Sequence, residues 1–168
     1  MAEAADTDLY ERDFYAWTQD QAARLRALGR NNRFDVAHVA EEIADLGRSQ
    51  LNAVDSHLEE ALIHVLKLAW SPATDPRAQW ADEVLRHQRE AKRAFTRAMR
   101  GGLDPDRMWR HAARRAHQSL VRYGEPGLPT LPTMPFTLDD LLAEDFDLDT
   151  AEACVRAALE GEVNPSSR

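Results

Sequence analysis

One stretch constrains this chain more than any other. From Asp35 to Trp70 apolar residues return every three or four positions, without a proline: Val36, Val39, Ile43 and Leu46, then Leu51, Val54, Leu58, Leu62, Val65 and Ala69. That period is the helical one, and no alternating strand pattern occurs elsewhere in the chain. The fold class is therefore all-α, and a helix this long needs neighbours to cover its stripe. The expectation is an up-and-down type bundle of four main helices, a proline-rich strap and short C-terminal helices.

Punctuation residues set the other elements. A first helix is expected over about 8–28, with Asp8 and Glu11 as a capping box and Gly29 as its stop. Asp35 caps the second helix, which Gly47 and Ser49 leave either continuous or kinked. Asp75-Pro76 and Asp104-Pro105 each place a capping aspartate before a proline at the first helical position. They open a third helix running to Gly101-Gly102 and a fourth stopping at Gly124. Prolines 126, 129, 132 and 135 then fall every third residue, as do Leu128, Leu131 and Met134. A polyproline II segment has three residues per turn, so each set lines one edge, and the segment reads as a stiff strap laid on the bundle. Thr137 and Asp140 cap a short helix, and a last helix is expected near 150–160. Trp17, Trp80, Trp109, Phe14, Phe95 and Phe136 are expected to anchor the core, at about 1.5 to 3 kcal/mol for each buried side chain.

The 168 residues suit a single helical domain spanning 1–168. No apolar run approaches the roughly 18 to 20 residues of a membrane span, so no membrane association is expected. The single cysteine, Cys154, excludes an internal disulfide and points to a cytoplasmic protein. It reads as a small packing residue rather than a nucleophile. The net charge of −8 is unevenly spread. Residues 1–76 carry seven Lys/Arg against fourteen Asp/Glu, residues 77–123 twelve against five, and residues 124–168 two against ten. A basic middle between acidic flanks implies acidic and basic helices lying side by side, within one subunit or across a homo-oligomer. Phosphate contact through Arg86, Arg89, Lys92, Arg93, Arg110 and Arg114 is the nucleic-acid alternative, with no aromatic interleaving to support base stacking.

Three His-x-x-Glu pairs occur, His38/Glu41, His57/Glu60 and His87/Glu90, and helical bundles hold metals with such residues when they face inward. Direction argues against a metal here. Around the helix, His57 and His64 sit roughly 110 to 130° from the centre of the apolar stripe and Glu60 roughly 170°, while His87 lies about 50° from its own stripe. No cofactor is expected. The alternative is a divalent metal on His57, Glu60, His64 and His87, reached if the long helix is covered on a second side, and with it a metal-dependent hydrolase or oxidase. No Gly-rich phosphate loop and no nucleophile elbow is present.

Four segments together carry a family resemblance: LYERDFYAWTQDQAARLRAL, FDVAHVAEEIADLGRSQ, LEEALIHVLKLAW and PFTLDDLLAEDF. The chain resembles the bacterial family catalogued as domain of unknown function 29 over about residues 8–146, with an extension over 147–168. The resemblance implies an all-helical protein. The family has no assigned activity, so it transfers no functional residue. The function expected from the sequence is that of a non-enzymatic cytoplasmic interaction or regulatory protein, with a homo-oligomer or another protein as partner.

Overall fold

Asp35 begins the longest element of the fold by accepting a hydrogen bond at 3.2 Å from the His38 N–H. A computed structural model describes residues 8–29, 34–129 and 133–163. The elements are α1 (residues 8–12), α2 (Phe14–Ala27), α3 (Val36–Trp70), α4 (Arg77–Ala94), a 3-10 helix (Arg97–Gly102), α5 (Pro105–Arg122), α6 (Leu138–Leu141) and α7 (Leu148–Val163). The described residues contain no strand, and the fold is an all-α helical bundle.

Local chemistry explains most boundaries. Asp104 accepts from the Arg107 N–H at 2.9 Å and Pro105 follows at the first helical position. Thr137 and Asp140 form a complete reciprocal capping box, and Asp147 receives the Thr150 N–H at 2.8 Å to start α7. Three expectations change. The third helix begins at Arg77 rather than at Pro76, whose carbonyl instead accepts the Trp80 N–H at 3.0 Å. The first helix breaks at Asp13, whose side chain receives the Ala16 N–H and caps α2, while Asp8 pairs with Arg12. The third helix ends at Ala94, and the chain tightens into the 3-10 helix before it reaches Gly102. α3 runs unbroken through Gly47.

The described residues pack as two compact units. The first comprises α1, α2, the part of α3 up to Val54 and the 3-10 helix. Its interior combines small residues, Ala22, Ala40, Ala44 and Thr18, with the larger Val54 and Met99, all buried. Ala40, Ala44 and Gly47 are spaced four and three apart, so they share one face of α3. At Gly47 an added Cβ would land on Thr18 Oγ1 and lie 3.3 Å from Thr18 Cβ, which shows how closely α2 approaches. Tyr10, Phe14 and Trp17 pack against one another, with Tyr10 edge-on to both other rings. Tyr10 is exposed, however, and Phe14 and Trp17 are only half-buried. Of the six aromatic anchors expected, Trp109 alone is fully buried. The Leu, Val and Ala stripes fill the interior without the others.

The second unit comprises α3 from Asp55 onward, α4, α5, α6 and α7. Leu58, Leu62, Val65 and Leu66 of α3 are buried with Val84, Met108, Leu120, Val155 and Leu159. From Ala61 to Ala69 only His64 and Lys67 escape full burial, so this part of α3 is covered on nearly every side. Gln88, itself buried, donates from Nε2 to the carbonyls of Leu141 at 3.1 Å and Ala143 at 3.2 Å, which ties the α6 segment to α4. In the expected strap, Leu128 is buried and Met134 half-buried, Trp70 Nε1 donates to the Gly127 carbonyl at 3.0 Å, and Leu131 and Pro132 lie outside the described residues. Cys154 is exposed rather than packed.

Candidate functional site: a cavity beside a neutral histidine

Three helices of the second unit each place two side chains one helical turn apart at one cavity. α3 contributes His64 and Lys67, α4 contributes Trp80 and Glu83, and the end of α5 contributes Leu120 and Tyr123. The cavity measures about 690 Å³, within the range of small-molecule sites. Its remaining wall comes from Gln79, Ser119, the loop before α4, including Asp75, and Glu125. The position of Glu125 follows from how α5 stops. Gly124 adopts φ +77°, the Glu125 N–H reaches back to the Leu120 carbonyl at 3.0 Å, and the Gly124 N–H reaches the Val121 carbonyl at 3.1 Å. This is the left-handed cap that glycine adopts without strain. Ser71 then donates its hydroxyl to the Glu125 carboxylate.

Electrostatics separates the two polar residues of α3 from the rest. Burial, followed by the charge of Lys67, pushes His64 down to about 4, so it is neutral at pH 7. Its Nδ1 is buried and has no hydrogen-bond partner among the described residues. Burial also lowers Lys67. Its ammonium stands over the Trp80 ring at 5.5 Å from the centroid, and no carboxylate among the described residues reaches it at ion-pair distance. The carboxylates of the cavity are better provided. Glu83 is bonded by Arg86, which lowers its pKa, and Glu125 by Ser71.

The remaining metal candidates resolve into two separate arrangements. His57 Nδ1 lies 2.8 Å from His87 Nδ1, while Arg86 Nη2 lies 2.7 Å from His87 Nε2. Arg86 can only donate, so His87 Nε2 accepts, and His87 donates from Nδ1 to His57. Burial first, then Arg86 and His57, lower the pKa of His87. Glu60 instead faces α5, where Arg115 Nη1 holds it at 2.6 Å and Glu59 at 3.2 Å. The structure thus joins His57 to His87, turns Glu60 toward Arg115, and leaves His64 at the cavity. Among the described residues no group of three or more His, Cys, Asp and Glu side chains is placed to hold a metal ion. The remaining histidines are local partners. His38 bonds Asp35 at 2.5 Å, His111 lies 3.8 Å from Glu59, and His117 Nδ1 donates to the Leu128 carbonyl at 3.2 Å.

The acidic part of α3 and the basic α5 meet within the chain, through Asp55 with Arg107 at 2.5 Å and through Glu59 and Glu60 with Arg115. Of the candidate phosphate-binding residues, Arg86, Lys92 and Arg93 pair with Glu83, Glu144 and Glu90. Arg89, Arg110 and Arg114 are exposed.

The profile of the family described as Domain of unknown function DUF29 matches residues 9–147. The chain belongs to this family. Among solved structures, it is similar to the crystal structure of an alpha-helical protein of unknown function from Rhodospirillum rubrum. The two share 32% identity at a TM-score of 0.78, covering 86% of this chain and 95% of that one. No curated protein matches. The family match ends just before α7, so that helix lies beyond the matched region.

Lys67, Trp80, Tyr123 and Glu125 did not stand out in the sequence as site residues. A signal was nevertheless present in ALIHVLKLAW. His64 and Lys67 are its only ionisable residues, and they sit three apart, on one face of an otherwise apolar stretch of helix.

Proposed function

We propose that this protein is a non-enzymatic cytoplasmic binding protein that holds a small molecule in the cavity between α3, α4 and α5. One observation carries the reading. A neutral imidazole and a half-buried ammonium with no ion-pair carboxylate among the described residues line a cavity that also offers an aromatic face. Burial disfavours the Lys67 ammonium, and an anionic group entering the cavity would give it a partner. Perturbed titratable groups converging on a cavity mark a functional site. The single cysteine supports a reducing compartment.

Binding of a polar fragment library to the full chain, followed through the Trp80 indole and His64 ring resonances, tests this reading. Ligands are expected to move both sets of signals together. Lys67→Met is expected to weaken the best of them by about tenfold or more, the value of one charge-assisted hydrogen bond. A library with no member that perturbs either ring would contradict the reading.

A further inference from the structure

We infer that the cavity takes a small zwitterion, an amino-acid-like molecule with an ammonium, a carboxylate and an apolar body. The inference rests on the reading of the cavity as a ligand site and assigns the chemical class of its occupant.

The cavity carries both signs of charge. α3 supplies the cation Lys67 and, one turn before it, the neutral His64. The loop before α4, α4 itself and the chain after α5 supply Asp75, Glu83 and Glu125. A simple organic anion would be drawn to Lys67 but repelled by Asp75 and Glu125, Glu83 being already paired with Arg86. A simple amine would suit the carboxylates but meet the Lys67 ammonium in a partly desolvated space, where like charges are costly. A molecule bearing both charges satisfies both. Its carboxylate accepts from Lys67 and from Nε2 of His64, whose Nδ1 is buried, and its ammonium donates toward Asp75 or Glu125.

The neutrality of His64 fits this division of labour. A charged imidazole beside Lys67 would add repulsion, whereas a neutral one provides a hydrogen bond without a second charge. The apolar part of the ligand has its surface in the Trp80 face and Leu120, with Tyr123 alongside. Lys67 already lies over the Trp80 ring, so an acid group drawn to its ammonium brings the attached body against the indole.

Calorimetric titration of the full chain with three matched probes decides between the classes. L-phenylalanine carries both charges, phenethylamine only the amine and 3-phenylpropanoate only the acid. The expected result is one-to-one binding of L-phenylalanine, with each of the other two weaker by about tenfold or more, since each lacks one charge-assisted hydrogen bond. In Lys67→Met the advantage of L-phenylalanine over phenethylamine should disappear. Equal or tighter binding of phenethylamine or 3-phenylpropanoate by the unaltered chain would overturn the zwitterion assignment and leave the cavity a ligand site of another class. Failure of all three probes alongside hits from the fragment library has the same meaning. Failure of all three together with an empty fragment screen overturns both readings.

Discussion

Replacing Gln88 with leucine is expected to destabilise the second unit by about 2 to 4 kcal/mol, although the side chains are similar in volume. Gln88 is buried, and its Nε2 donates to two carbonyls, those of Leu141 and Ala143. Leucine would fill the space but leave both acceptors without a donor, and each buried unsatisfied group costs about 1 to 3 kcal/mol. The Leu141 carbonyl ends α6 and that of Ala143 lies two residues beyond it, where no further turn of helix supplies a donor. Urea denaturation measures the loss. Hydrogen exchange should place the opening in residues 138–144 ahead of α4. A loss below about 0.5 kcal/mol, the range of ordinary surface substitutions, would show that water serves these carbonyls as well as Gln88 does.

Gly47→Ala should be destabilising even though alanine is the better helix former by about 1 kcal/mol. The added methyl would land on Thr18 Oγ1, with Gln19 Nε2 at 3.0 Å and Thr18 Cβ at 3.3 Å. Thr18 is fully buried, and its hydroxyl is tied to the Tyr15 carbonyl at 2.7 Å, so it cannot simply swing away. Overpacking of this kind costs about 1 to 3 kcal/mol, which outweighs the propensity gain. Pairing the change with Thr18→Ala removes the obstructing atoms and should recover most of the loss. A double-mutant cycle in thermal unfolding reads the coupling. Additive effects, or a stabilised single variant, would mean that α2 and α3 are not in such close contact.

What the sequence revealed and what it hid follow the range of the interactions involved. The caps at Asp35, Asp104-Pro105 and Thr137/Asp140 act over three or four residues, and all three form as read. The cap at Asp13 was obscured because Asp8 and Glu11 present the fuller capping-box pattern five residues earlier. The directions of His57 and His64 were judged against a single apolar stripe on α3. Between Ala61 and Ala69 that helix is covered on nearly every side, so side chains displaced from the stripe meet other helices rather than solvent. The cavity was the least legible feature. Its walls come from positions as far apart as His64 and Glu125, and periodicity within one helix carries no information about such a meeting. The charge pattern was informative in a coarser way. Segments of opposite sign do lie together, and Asp55, Glu59 and Glu60 identify α3 and α5 as the elements that join them.

The protonation of His64 tests the central claim most directly, because the binding site proposed here depends on a neutral, partly buried imidazole lining the cavity. Histidine-selective NMR across pH, assigned with a His64→Asn variant, gives its pKa in the unaltered protein. The account predicts titration near 4, held down by burial and Lys67. The sign for stability follows. The unfolded chain takes up this proton near pH 6.5 and the folded chain only near 4, so the contribution of His64 to stability declines as the pH falls through that window. A ring that titrates near 6.5 with a solvent-like shift would contradict the account, since His64 would then be hydrated and already satisfied by water.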